Sequence, residues 1–374
     1  MESTVKLLNH ASVKLTIDGT SIISDPWYNG SVFHKGWKLI HEIPVDEIKK
    51  DLENTDYIFV SHEHPDHFSP SFFLNKIYKE ILKKNNTKVL FQETKDKRVL
   101  NFLNHLNLDT IELKNEKKYQ LDDDFYITCI KSGFYDSALI IELGDKKIFN
   151  LNDCPIETIE EIKEFNIKYG TCDILLTQFS YAAWKGNKSN DEWAKKSAQN
   201  KINIIKNQAR ILNAKNVIPF ASFIKFSHIE NHHLNKNSNN PDAILKNISK
   251  DDANITFLRP YEKQNLNQIK QDEKSLIFWR DEIKKSNNKK LNKYENIINL
   301  QELNTSFLKY KKRIFSNNSY FLIKIFSFIP FLKPFGKVVI RLKDLNKSII
   351  LNLFSKNIKS TELPHDISLS SESL

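Results

Sequence analysis

The chain has 374 residues, 56 Lys+Arg against 46 Asp+Glu, a formal net charge of +10, and is 40% hydrophobic, 27% charged and 11% aromatic. That composition excludes a wholly disordered, collagenous or repeat-only chain and leaves room for one large domain with a smaller one. Residues 1–262 carry 35 basic and 36 acidic side chains and residues 263–374 carry 21 and 10, so the whole basic excess lies in the C-terminal region.

From the N-terminus, VKLTI (13–17), Asp18-Gly19 and SIIS (21–24) predict a β-hairpin, since Asp-Gly suits a tight two-residue turn. Tyr57-Ile58-Phe59-Val60 predicts a strand buried on both faces, which runs directly into SHEHPDHF. SPSFFLNKIYKEILKK predicts one helix with Ser69 as cap, Pro70 in the first turn and an apolar stripe of Phe73, Ile77 and Ile81. FYITCI (125–130), ALIIEL (138–143) and KIFNL (147–151) predict three strands. A helix over 156–167, strand DILLTQ (173–178), a long helix opened by a Ser189/Glu192 capping box and strand VIPFAS (217–222) follow.

Beyond residue 262 the chain turns charged and helical, then apolar, then strand-like at KVVIRL and SIILNLF. The domain boundary is accordingly set at 262/263: a first domain over 1–262 and a basic α+β extension over 263–374. The apolar run YFLIKIFSFIPFL (320–332) is broken by Lys324 and Pro330 and is too short to span a bilayer. The N-terminus lacks the apolar segment of a signal peptide, and Cys129, Cys154 and Cys172 fit neither a disulfide framework nor a CxxC zinc site, so a cytoplasmic location is expected.

The sharpest signal is His62-x-His64-x-Asp66-His67, four potential ligands in six residues on a loop between a strand and a helix. Two imidazoles can hold one cation while the carboxylate and third imidazole face a second. Imidazole and carboxylate together suit zinc, iron or manganese.

With this HxHxDH loop the chain resembles the metallo-β-lactamase superfamily. Within it, the chain is similar to CMP-N-acetylneuraminate hydroxylases and to lactonase-like and phospholipase D-like metallo-hydrolases. The residues that carry this are Asn9-His10-Ala11-Ser12, Ser24-Asp25-Pro26-Trp27, Gly36 to Glu42, Ser61 to His67, Asn152-Asp153-Cys154, Pro219-Phe220-Ala221, Ser227-His228 and Arg259-Pro260. The resemblance implies a four-layer αβ/βα sandwich, with Asp153 bridging two metals and His228 as the last ligand of the second. It also implies a further histidine on the loop 131–137, which has none; Asp136 is a candidate substitute there, a surface turn is the alternative, and a mononuclear site held by Asp66, His67, Asp153 and His228 stays open. His10 and His41 correspond to positions near the mouth of the site. Trp27, Trp37 and Trp184 are candidates to line the cleft, and Lys185, Lys188 and Lys225 to hold a phosphate or sugar carboxylate.

A cation held by His62, His64, Asp66, His67, Asp153 and His228 would make hydroxide available at neutral pH, which favours hydrolysis of a small anionic substrate, with Asp66 as catalytic acid/base. One or two zinc ions are expected, with iron or manganese as alternatives. The hydroxylase resemblance implies a different chemistry that needs a Rieske cluster. No cysteine here has the CxH or CxxH spacing of such a cluster, so that role calls for a separate Rieske protein. A third reading is a binding protein on a retired metal site, meeting a membrane surface or nucleic acid through Lys311-Lys312-Arg313 and the run Phe326 to Phe331.

Overall fold

The computed structural model describes residues 3–329 and 336–374. Residues 330–332 of the apolar run lie outside them. Two compact units are present, Met1–Leu291 and Asn292–Leu374.

The first unit is built on two mixed sheets. One orders its strands Lys263–Asn265, Ser3–Asn9, Ser12–Ile17, Thr20–Ser24, Tyr57–Val60, Lys88–Gln92 and Asp109–Leu113; the other, Asn216–Phe220, Ile174–Gln178, Lys146–Asn152, Asp136–Leu143, Phe125–Ser132 and Lys118–Asp122. Each sheet passes from antiparallel to parallel pairing across its width. The period-two alternation of strand side chains decides the layering. Phe59, Ile22 and Leu90 point into the core between the sheets, beside Ile127, Ile141 and Leu175. Their neighbours Ile58, Val60, Ile23 and Val89 point the other way, onto Ile48, Leu52, Tyr78 and Leu82 of the covering helices. The helix Glu192–Ile211 covers the second sheet through Ile202, Ile205 and Ala209. The result is a four-layer αβ/βα sandwich.

The hairpin forms with Asp18 at φ +42° and Gly19 at φ +103°, the left-handed pair that an Asp-Gly turn supplies. Two local expectations are corrected. The helix predicted from Ser69 breaks into Pro70–Phe73 and Lys76–Lys84, because the Asn75 side chain accepts hydrogen bonds from the Ile77 and Tyr78 amides and starts a new helix. The restart turns Tyr78 and Leu82 inward and leaves Ile77 exposed. The Ser189/Glu192 capping box does not form; the helix begins at Glu192, whose amide donates to the Asn190 side chain.

The first unit also runs past residue 262. Lys263–Asn265 pairs with Ser3–Asn9, and the helix Glu273–Asn287 buries Trp279, stacked on Phe223 at 3.8 Å. The charge shift at 262 is a shift in surface composition, whereas compactness follows strand pairing and burial.

The second unit has a four-stranded sheet ordered Lys359–Thr361, Lys347–Leu351, Val338–Leu342, Ile367–Leu369, with the helices Leu300–Asn317 and Tyr320–Ser327. Its buried apolar core cluster is Leu303, Ile340, Leu342 and Ile349. Among the described residues no helix is long and apolar enough to cross a membrane.

Candidate metal centre

Four strands of the first unit end at one edge, and the residue just beyond each carboxyl end carries the site: Asp25 after Thr20–Ser24, Ser61-His62 after Tyr57–Val60, Asp153 after Lys146–Asn152 and Ala221 after Asn216–Phe220. Open α/β sheets place ligands at such edges. Four non-glycine residues here hold positive φ: His10 (+28°), Asp25 (+37°), Asn152 (+42°) and Ala221 (+50°). Backbone of this kind persists only where the surroundings enforce it, and it gathers at functional sites. The enforcement is visible: the Ala221 amide donates to the His10 carbonyl at 2.7 Å, and the His10 amide donates to the Asn9 side chain at 2.9 Å.

Two groups of metal-ligand atoms converge, His62/His64/Asp153 and His10/Asp66/His67, each with its donor atoms within 4.8 Å of one another. Asp153 Oδ1 lies 3.8 Å from His62 Nδ1 and 3.5 Å from His67 Nε2, so this carboxylate stands between the two groups. Asp66 Oδ2 is 3.5 Å from His67 Nε2 and 3.4 Å from His10 Nε2. Asp136 Oδ1 is 3.7 Å from His62 Nε2, so a carboxylate stands where the resemblance implied another histidine.

The second layer of contacts holds the imidazoles in place. Asp25, fully buried, receives the Ser61 amide on one oxygen (2.7 Å) and the Ser61 hydroxyl on the other (2.8 Å), and that second oxygen also meets His67 Nδ1 at 2.9 Å. A carboxylate on the far nitrogen fixes tautomer and ring direction, leaving Nε2 to face the centre. The Ser61 carbonyl is in turn held by the Ser137 hydroxyl at 2.6 Å and the Gln92 amide at 3.1 Å.

Electrostatics separate the residues. Burial would drive His67 neutral, but the carboxylates of Asp153, Asp66 and Asp25 push its pKa well above the usual histidine range. Burial, reinforced by the neighbouring His67 charge, lowers His62 to about 4. Burial likewise lowers His10, against the pull of Asp66. Burial opposes ionisation of Asp66 and Asp153, yet the imidazoles, His67 foremost, hold both below the ordinary aspartate value. Burial and the Asp153 charge raise Asp136 to about 6. Three carboxylates converging on one buried imidazole mark a cluster that calls for positive charge.

The donors fit a metal. Both ring nitrogens of His10, Asp66 Oδ1 and Asp153 Oδ1 are buried without a hydrogen-bond partner. Such atoms cost about 1–3 kcal/mol each when left unsatisfied, and more when charged. A cation ligated by these lone pairs removes that cost.

Other expected residues lie elsewhere. His228 is absent from both ligand groups. After Ala221 the chain enters the strand Ile224–Phe226, which pairs with Trp37–Leu39, and the His228 amide donates to the Asn231 side chain in the turn beyond. His10, expected at the mouth, takes a place among the ligand atoms. The His41 ring pairs with Glu282 at 2.8 Å and packs edge-on to Phe278, although its carbonyl accepts from Asn9 beside His10. Trp184 is half exposed and edge-on to Trp193, with Lys185 over the same ring. Lys225 is buried, and its ammonium donates to the Ser286 carbonyl. Trp27 is buried edge-on to His10, and Trp37 packs on Phe33 and Phe226. All three cysteines are free and buried, which raises their thiol pKa values, Cys129 to about 11 and Cys172 to about 12, and marks them as packing residues. Sequence reasoning assigned no role to Asp25 or Ser61; an aspartate directly after a buried strand was the available signal.

Residues 4–180 match the model of the beta-lactamase superfamily domain. Over that stretch, a little under half of its length, the chain is similar to the metallo-β-lactamase superfamily. A cytidine monophosphate-N-acetylneuraminic acid hydroxylase of Danio rerio is 25% identical over 272 residues, which cover 66% of this chain and 43% of that protein. An inactive counterpart from Homo sapiens is 26% identical over 285 residues, 69% of this chain and 53% of that protein. The chain thus spans about half the length of the curated relatives it matches. Among solved structures, Igni18, a metallo hydrolase from Ignicoccus hospitalis, superposes with a TM-score of 0.51 at 14% identity over 71% of this chain and 98% of that one, a likeness of fold. This superfamily fold implies divalent-metal binding, and the His/Asp clusters described above are the residues available for it.

Proposed function

We propose that this protein is a metal-dependent hydrolase of the metallo-β-lactamase superfamily with a two-cation centre acting on a small anionic substrate such as a sugar phosphate, nucleotide sugar or phosphodiester. The carrying observation is the set of buried, unpartnered donor atoms on His10, Asp66 and Asp153 facing one another around the His67 ring. His62, His64, Asp136 and Asp153 would hold one ion; His10, Asp66, His67 and Asp153 the other. A divalent cation in such a site lowers the pKa of bound water toward 7 and polarises a substrate oxygen.

The chain's own residues do the rest. The four carboxylates of Asp25, Asp66, Asp136 and Asp153 would be balanced by two dications, so an anionic oxygen could enter the loaded centre without like-charge repulsion. Asp25 and Ser61 hold the His67 ring so that Nε2 faces inward. Asp66 accepts and returns the proton of the attacking water, since Oδ1 is not engaged by any other residue. Trp27 packs against the His10 ring and keeps that side dry.

A second reading is favoured by the ligand set and the relatives. Asp136 makes the first group richer in oxygen donors, which suits iron or manganese better than an all-histidine set would. The curated relatives above are named hydroxylases, and oxygen chemistry in this chain would need a separate Rieske protein as electron donor. Elemental mass spectrometry of the freshly purified protein, followed by turnover of bis(p-nitrophenyl) phosphate and a lactone panel, tests both. The hydrolase reading expects one to two equivalents of metal and turnover that Asp66→Asn abolishes. Iron without hydrolytic turnover favours the hydroxylase reading, and metal-free protein after purification in metal-supplemented buffer overturns both.

A further inference from the structure

The second unit leaves its most apolar helix outside. On Tyr320–Ser327 only Ile323 is buried, while Phe321, Leu322, Ile325 and Phe326 are exposed, as is Phe328 just beyond (75%). The helix is fastened to its own unit by Ile323 and by Tyr320, whose ring meets Phe315 at 5.0 Å and Phe354 at 6.5 Å. These five large side chains on about two turns are a contiguous patch, not scattered surface apolars.

Charge surrounds this patch with one sign. Residues 303–343 contain nine Lys and Arg and no Asp or Glu. Lys309, Lys312 and Arg313, on the preceding helix Leu300–Asn317, and Lys324, on the apolar helix, are exposed. Among the described residues none of these four forms a salt bridge.

We propose that Tyr320–Ser327, with the basic flank of Leu300–Asn317, is an interfacial docking element for an anionic lipid bilayer. The helix is too short to span, so it lies in the headgroup region with its aromatic and aliphatic side chains inserted. The ammonium and guanidinium groups pair with lipid phosphates and carboxylates, their stems lying along the apolar layer. A second copy of this chain would set two like-charged flanks face to face, and a nucleic acid offers no partner for five exposed apolar side chains. The inference does not depend on the metal centre.

Co-sedimentation of the full chain with vesicles tests it. Expected is binding to phosphatidylcholine mixed with phosphatidylserine, weakened roughly ten-fold or more on phosphatidylcholine alone or in high salt. Phe321→Ser with Phe328→Ser, and separately Lys312→Glu with Arg313→Glu, should each weaken it by a similar factor. These side chains are exposed, so circular dichroism and metal content should stay unchanged. Wild-type protein left in the supernatant with phosphatidylserine vesicles overturns the inference, as does binding that survives both double variants. A dimer by light scattering that the Phe321/Phe328 variant dissolves, without lipid binding, assigns the face to a second copy and overturns it too.

Discussion

The two units divide polar and apolar groups in opposite ways. Met1–Leu291 buries Trp27, Trp279, Phe59 and Phe149 and, with that much core around it, holds Asp25, Asp66, His10, His62 and His67 almost wholly out of solvent. Among its described residues Asn292–Leu374 buries seven apolar side chains, encloses no comparable charged cluster, and leaves a phenylalanine-rich helix exposed. A large core can absorb the desolvation of a preorganised site, whereas a small one cannot even cover its own apolar side chains. The proposed chemistry therefore falls in the first unit and the proposed surface association in the second.

The largest expected effect is at the carboxylate between the two ligand groups. Asp153→Ala should remove metal from both and abolish turnover, read by elemental mass spectrometry and assay; retention of full metal content would break the assignment of chemistry to this cluster. Next, His10→Ala should lose about half of the bound metal while His228→Ala keeps all of it, since only His10 lies among the ligand atoms. The reverse result would restore the assignment the resemblance implied. Asp25→Asn should weaken metal affinity about 10–100-fold with the fold intact, as loss of an outer partner to a ligating histidine does.

In the second unit, Leu342→Ala should destabilise that unit by about 2–5 kcal/mol. Hydrogen exchange should speed up in Val338–Leu342 and Lys347–Leu351, with metal content unchanged. The smallest effect concerns Asp136 in metal-free protein. Its folded pKa, raised to about 6, means that the folded state binds the extra proton between about pH 4 and 6, so its stabilising contribution is complete below that window and is lost as pH rises through it. Asp136→Asn should therefore melt a few degrees higher than wild type at pH 7, with the gain vanishing near pH 4 and reversing when metal is added.

Much of this was legible in the chain itself. Buried strands announce themselves by apolar runs, so Tyr57–Val60, Phe125–Ser132 and Ile174–Gln178 were readable, and His62, His64, Asp66 and His67 are local, fixed by one loop at one strand end. Asp153 was readable because it too follows a strand directly. Helix boundaries were less so, because Asn75 competes with its own helix for amide hydrogen bonds, a choice that one side chain decides.

What tertiary structure alone decided was which distant residues complete the site. His10, Asp25 and Asp136 reach it across 36 to 74 residues of sequence from His67, Ser61 and His62, and no spacing rule relates them. His228, expected as a ligand, follows the strand Ile224–Phe226, which pairs with Trp37–Leu39, and is in neither of the two ligand groups. Likewise the first unit extends past the charge boundary at 262, because Trp279 and the strand Lys263–Asn265 are held by contacts with residues far earlier in the chain. Local sequence sets strands and loop chemistry through backbone preference and burial period; the partners across the sandwich are set by packing, which depends on the whole chain at once.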